Sequence, residues 1–214
     1  MGRRCLELVA DLHDRASLVA AVDRVASEWG GIDLLVNNAV DTAPGSMVPI
    51  VDLAVAQLEA KLAANAVAPF VLIQAVLPGM LASGGGTVVD VSSHTATADP
   101  PGPVGQGGWG VAYAASKAAA HRFAPLLAVE LGGRGINAYN IDPGYVETER
   151  QQVNAAALGL VGRYSGAPPS VPAATIAWLV EHPDAVANGQ TVKALKMALT
   201  HDLHPDWRTP RDGT

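Results

Sequence analysis

Ile32-Asp33-Leu34-Leu35-Val36-Asn37-Asn38-Ala39 decides how this chain is organised. Ile32 to Val36 reads as an apolar strand of the kind a parallel sheet covers on both faces, and it runs directly into paired asparagines. Just upstream, Gly30-Gly31 stops a helical pattern that starts at Asp14 and puts Leu18, Val19, Val22, Val25, Ala26 and Trp29 on one side. Further upstream, the short apolar stretch Leu6 to Ala10 ends at Asp11 and predicts another strand. Strand, helix, strand is the repeating unit of an open α/β sheet.

The pattern continues downstream. A helical region from Asp52 to about Leu81 is apolar nearly all round, so it must bury more than its sheet side, which predicts a subunit interface. Gly84-Gly85-Gly86 then leads into a strand from Thr87 to Val91 that ends in Ser92-Ser93. A Pro/Gly-rich loop, Asp99 to Gly110, precedes a helical run from Ala112 to Leu131, followed by a strand from Ile136 to Ile141 that ends in Asp142-Pro143-Gly144. A helix from about Val171 to Glu181 and a strand near Gln190 to Val192 complete the alternation. The expected fold is a Rossmann-like, doubly wound parallel sheet with right-handed crossovers and helices on both faces, in a single domain over residues 1–214.

Composition narrows the function. The 214 residues are 49% hydrophobic and 16% charged, enough for one well-buried domain, and the net charge of -6 argues against nucleic acid or an anionic membrane as a partner. No uninterrupted apolar run reaches the ~18 residues of a membrane span, and Met1-Gly-Arg-Arg lacks the apolar core of a signal peptide, so a soluble cytoplasmic protein is expected. The single cysteine, Cys5, reads as a small apolar residue. His201-x-x-His204 has no cysteine or carboxylate cluster to complete a metal site, so no metal is expected.

Tyr113-Ala-Ala-Ser-Lys117 carries the chemistry. Residues four apart share a helix face, so the phenol and the ammonium are neighbours. At about 4 Å and an effective dielectric of about 20 their attraction is on the order of 4 kcal/mol before desolvation, enough to lower a phenol pKa by up to about three units. Such a tyrosine exchanges protons with an alcohol or ketone near neutral pH. In an open α/β sheet, ligands bind beyond the C-terminal ends of the strands. Asp11, Asn37-Asn38-Ala39, Ser92-Ser93 and Asp142-Pro143-Gly144 all fall there.

Taken together, Asp11, Asn37-Asn38-Ala39, Asn65 within the long helix, Ser92-Ser93, Tyr113-x-x-x-Lys117 and Asn140-x-Asp142-Pro143-Gly144-x-Val146-x-Thr148 resemble the short-chain dehydrogenase/reductases, from about Leu6 to Val192. The resemblance implies an oxidoreductase that moves hydride between NAD or NADP and a small alcohol or ketone. It makes Tyr113 the general acid/base, and Lys117 the residue that lowers its pKa and holds the nicotinamide ribose. It also implies that Ser93, rather than Ser92, bonds the substrate oxygen, and that Asn65 holds a water beside Lys117; Asn65 otherwise caps a kink before Pro69. Asp11 would accept from the adenine amino group, or else cap the nearby helix. Asn38 and Ala39 would line the adenosine, Pro143-Gly144 would let backbone approach the nicotinamide, and Val146 and Thr148 would bind its carboxamide. His94, Trp109 and Tyr145 are candidates for the substrate mouth. Asp33 is assigned to the start of its strand, and Asp90 to a sheet edge or turn. The partner implied is a second copy of the chain, in a dimer or tetramer built through the long apolar helices.

The sequence also departs from that family. The strand, glycine-rich turn, helix and second strand with which the family begins, whose turn binds the pyrophosphate, have no counterpart here, so the fold is expected to be N-terminally truncated. Ile32 to Val36 would then be an exposed apolar edge. The chain starts at an internal methionine of a longer protein, or Leu6 to Ala10 pairs directly with Ile32 to Val36, or a partner covers the edge. Val40 stands where the family has glycine, and the 20-residue spacing from Ser93 to Tyr113 is long, which puts Ser93 at the site only if the Asp99–Gly110 loop bulges outward. Two functions follow: the oxidoreductase, or a non-catalytic α/β module that keeps these residues but binds no dinucleotide.

Overall fold

The structure is a computed structural model that describes residues 4–149, 166–204 and 207. Its sheet has four parallel strands in the order β1 (Leu34–Asn37), β2 (Gly86–Val91), β3 (Ile136–Asp142) and β4 (Thr191–Lys193). Register aligns Val36 with Val89 and Val89 with Tyr139. Alternation along the strands sends successive side chains to opposite faces. Val88, Ile136 and Ala138 therefore pack with Val22, Ile73, Val76, Met80 and Ala124 on one face, while Val89, Ile141 and Val192 pack with Leu179 and Ala194 on the other.

The first of these faces is covered by α1 (Arg15–Trp29), α3 (Ala68–Ala82) and α5 (Phe123–Leu131). The second is covered by α6 (Ser170–Glu181) and α7 (Ala194–Thr200), the latter a helix with no clear pattern in the sequence. Helices on both faces make this the doubly wound sheet that the strand patterns predict. Asp14 caps α1 by accepting from the amides of Ala16 (2.9 Å) and Ser17 (3.3 Å), and Gly30, at φ 85°, ends it.

The long apolar helix is continuous from Val55 to Ala82 over 28 residues, long and apolar enough by length and composition to cross a membrane. Here it is a core helix: Ile73, Val76 and Met80 lie against the sheet, and Lys61 and Asn65 are buried. It divides into α2 (Val55–Leu62), a π-helical turn (Ala63–Val67) and α3. The turn falls where Pro69 has no N–H to offer the Asn65 carbonyl. The run from Ala112 is likewise two helices, α4 (Val111–His121) and α5, broken at Arg122. Pro125 has no N–H for the His121 carbonyl four residues back, and the Asn140 side chain donates to it at 2.8 Å instead.

One expected strand is absent. Leu6–Ala10 forms no ladder and lies largely in solvent, with Val9 fully exposed at 99%. β-Propensity shows itself as a strand only where a neighbour completes the hydrogen bonds, and none is supplied to this stretch. Among the described residues nothing pairs with the outer side of β1, so direct pairing of Leu6–Ala10 with that strand is excluded. β1 is the exposed apolar edge that the sequence predicts, with Leu34 and Val36 at 36% and 37% exposure.

Candidate active site

The C-terminal end of β2 and the N-terminal half of α4 face each other and bring the expected residues together. Ser93 leaves the strand in extended backbone and caps a short turn, His94–Ala96, accepting from the Thr95 amide (3.3 Å) and hydroxyl (3.1 Å). Its side chain also lies close enough to Tyr113 to act on the phenol, so the long spacing does not separate the pair. The intervening loop folds on itself: Val104 bridges to Gly108, and a Cβ on Gly108 would collide with the Gly102 carbonyl oxygen. Gly110 then donates to the Ser46 carbonyl at 3.1 Å and returns the chain to α4. Ser92 points elsewhere, to His121 Nδ1 at 2.9 Å.

Lys117 lies one turn after Tyr113, buried at 7% exposure, and its ammonium donates to the Val91 carbonyl at 2.7 Å. Burial pushes its pKa down to about 8, against the charge of Asp90. The expected depression of the phenol by Lys117 does not occur here. Burial pushes Tyr113 above its ordinary value, the nearby Ser93 hydroxyl works against the rise, and the Asp142 charge adds to it. The reason is directional, since the ammonium is committed to the end of β2.

Asn65 sits in the π-helical turn at 3% exposure, accepting from the Asp41 amide (2.8 Å) and donating to Ser116 Oγ (3.0 Å). A cavity of about 10 Å³, the size of a single water, is lined by Asn65, Lys117, Asn37, Asp90, Ala39 and His121, among others. A widened helical turn at such a place is a feature common at functional sites. Asp41 is itself held by Lys61, which is fully buried and donates to the carbonyls of Asp41 (3.0 Å) and Ala43 (2.6 Å) with its ammonium 3.1 Å from Asp41 Oδ2. Burial pushes the Asp41 carboxyl upward, yet the Ala43 amide and Lys61 outweigh it and leave its pKa below the ordinary value.

The remaining predicted residues are spread along the strand ends. Asp142 accepts from the Gly144 amide at 3.1 Å, and Gly144, at φ 68°, occupies the left-handed region that favours glycine. Val146 forms an isolated bridge to Ala167, and the Thr148 amide donates to the Val146 carbonyl at 2.9 Å. His94 lies 4.0 Å from Asp142 and edge-on to Trp109, which joins two of the three mouth candidates, while Tyr145 packs beside Gly166. Asn38 and Ala39 follow β1. Asp11 does not cap α1, a role taken by Asp14; its carboxylate accepts from the His13 amide at 2.9 Å, in the turn before the helix. Most of the segment 149–170 lies outside the described residues.

Sequence reasoning missed His121, Lys61 and Asp41, and misplaced Asp90. Asp90 is on an interior strand, not an edge, at 4% exposure, with Asn37 Nδ2 donating to its Oδ1 at 2.7 Å. The available signal was its position in Val88-Val89-Asp90-Val91, where a charge inside an apolar strand needs a buried partner. Asp33, as expected, precedes its strand and accepts from the Thr87 amide at 2.8 Å.

The chain is similar to proteins of one known family. The short chain dehydrogenase family model matches residues 2–158. D-threitol dehydrogenase of Mycolicibacterium smegmatis is 39% identical over 139 residues, 65% of this chain and 50% of that protein. The 3-oxoacyl-[acyl-carrier-protein] reductase FabG of Thermotoga maritima is 30% identical over 191 residues, 86% of this chain and 73% of that one. The crystal structure of gox2181 superposes with a TM-score of 0.76 at 25% identity, covering 87% of this chain and 74% of the other. The chain spans about half the length of several curated relatives it matches. With the match covering well over half of its residues, this chain belongs to the short-chain dehydrogenase family.

Proposed function

We propose that the protein is an NAD- or NADP-dependent oxidoreductase that interconverts a small alcohol and its ketone or aldehyde. The observation that supports this best is the approach of Ser93 to Tyr113 at the end of β2, which puts two hydroxyls where one carbonyl oxygen could meet both. Tyr113 would give its proton to that oxygen in reduction and take it back in oxidation. Ser93 would donate a second hydrogen bond and stabilise the charge that grows on the oxygen. Lys117 would hold the ribose beside Tyr113, and Asn65 would keep a water-sized space next to it. Nicotinamide, when bound, supplies or accepts the hydride.

The residues present fit the nicotinamide half of such a cofactor. Gly144, in the left-handed region, would let the chain come close, with Val146 and Thr148 just beyond it, and Asn38, Ala39 and Asp11 would serve the adenosine side. The pyrophosphate is less well provided for: between Arg4 and Leu34 the only glycines are Gly30 and Gly31, which follow α1 rather than precede it. Isothermal titration with NAD(H) and NADP(H) tests the reading. Saturable heat with one of the two is expected, after which a small polyol is the first substrate to assay, given the threitol relative.

A second reading, a non-catalytic interaction module, draws on the unpaired β1 edge. Beside that edge is an apolar groove of about 450 Å³ lined by Val22, Val25, Trp29, Ile32, Leu34 and Val76, among others. No heat with either dinucleotide would favour it.

We also propose a homo-oligomer built through the helices. Phe70 of α3 and Leu126 and Val129 of α5 are exposed at 44%, 49% and 86%, and Phe70 packs on Phe123 at 5.6 Å, joining the two helices into one apolar surface. Sedimentation is expected to give at least twice the monomer mass, reduced to the monomer by Val129→Glu combined with Leu126→Glu.

A further inference from the structure

We propose that Asp90 is a positioning residue for Lys117, a buried counter-charge that keeps the ammonium charged and in place above the strand ends. The proposal rests on the reading of Lys117 as part of the reacting set. Strand register sets Asn37, Asp90 and Asn140 in one row across β1, β2 and β3. Both amide nitrogens donate within this neighbourhood: Asn37 Nδ2 to Asp90 Oδ1 at 2.7 Å, and Asn140 Nδ2 to the His121 carbonyl at 2.8 Å. The atoms here with no hydrogen-bond partner are all acceptors: Asn37 Oδ1, Asp90 Oδ2 and Asn140 Oδ1, each buried. Buried acceptors without donors are costly, and a nearby cation offsets that cost.

Lys117 is that cation. It lines the same cavity of about 10 Å³ as Asn37 and Asp90, and its bond to the Val91 carbonyl uses only one of its three protons. The other groups around Asp90 do not substitute for it. Asn65 and Ser92 carry no charge, and His121, the remaining titratable group lining the cavity, is held below its ordinary pKa by burial and by Arg122 and is engaged by Ser92 and Thr191. Each charge also acts on the other: burial lifts Asp90 to about 6 against Asn37 and Lys117, and burial lowers Lys117 to about 8 against Asp90. An asparagine at position 90 would keep the shape and the bond from Asn37, so only the charge distinguishes a counter-ion from a core polar residue.

The test is a titration of the Lys117 ε-carbon by NMR in the whole chain labelled with 13C-lysine, tractable because the chain has four lysines. Losing the carboxylate removes the group that favours the ammonium, so in Asp90→Asn the Lys117 midpoint should fall by at least one pH unit, a tenfold smaller ratio of ammonium to amine at a given pH. An unchanged midpoint would overturn the proposal. Should that variant not fold, the wild type decides: its Lys117 resonance is expected to show a second inflection near pH 6 as Asp90 ionises, and a single inflection refutes the coupling. These readouts need no turnover. If Tyr113→Phe keeps full activity the assignment of the reacting set fails on its own, whatever Lys117 does in the titration.

Discussion

Tyr113→Phe is expected to lower kcat by about 10²–10⁴-fold, the range that a positioned acid/base contributes, while leaving dinucleotide affinity and the thermal midpoint nearly unchanged. The substitution removes one oxygen from a half-buried ring on α4. Ser93 loses that partner but keeps its bonds to the Thr95 amide and hydroxyl, so the strand end stays in place. A fall in kcat without a change in KM isolates proton transfer; retained turnover would show that another group supplies the proton. The raised pKa of the phenol adds a pH signature. A neutral phenol already holds the proton that reduction needs, so reduction should run well at pH 7. Oxidation needs the phenolate, whose fraction grows only as pH approaches the raised value, so the oxidation rate should still be rising at about pH 9–10. A plateau below pH 8 would mean that the phenol is depressed after all.

Lys61→Met should destabilise the fold by about 3–5 kcal/mol, the usual cost of breaking a buried ion pair from one side. Lys61 is fully buried, and its ammonium donates to two carbonyls and lies 3.1 Å from the Asp41 carboxylate as its counter-charge. Methionine fills the space but leaves the two carbonyls without that donor and the carboxylate without its counter-charge. The damage reaches the site, because the Asp41 amide is the donor that orients Asn65 Oδ1. Urea unfolding at pH 7 measures the loss, and Lys61→Met with Asp41→Asn should recover part of it, since no unpaired charge then remains. The pH dependence has a definite sign. Asp41 has a folded pKa below its ordinary 3.8, so its contribution is present above pH 3.8 and is lost as pH falls through the folded value. In the wild type the pair therefore weakens in acid below about pH 4, and the single variant should show little of that dependence.

The alternation of apolar strands with helices, and the placement of polar residues just past each strand, were legible because periodicity is a local property of the chain. β2, β3 and β4, α1 and the shared face of Tyr113 and Lys117 all follow from it. Leu6–Ala10 failed for the converse reason: a strand exists only with a partner, and pairing is not local. The π-helical turn before Pro69 and the helix break before Pro125 were in principle readable, but which group takes over the freed carbonyl, as Asn140 does for His121, was not.

By itself the sequence determined the class of fold, the order of its elements and the residue types gathered at the strand ends, since these depend on spacing along one chain. The tertiary structure alone decided what those residues feel. It turned Lys117 toward Val91, raised the phenol it was expected to lower, made Asp90 an interior charge and seated Lys61 on Asp41. Burial and charge–charge contact are properties of the folded surroundings, set by groups far apart in sequence, and no spacing rule contains them.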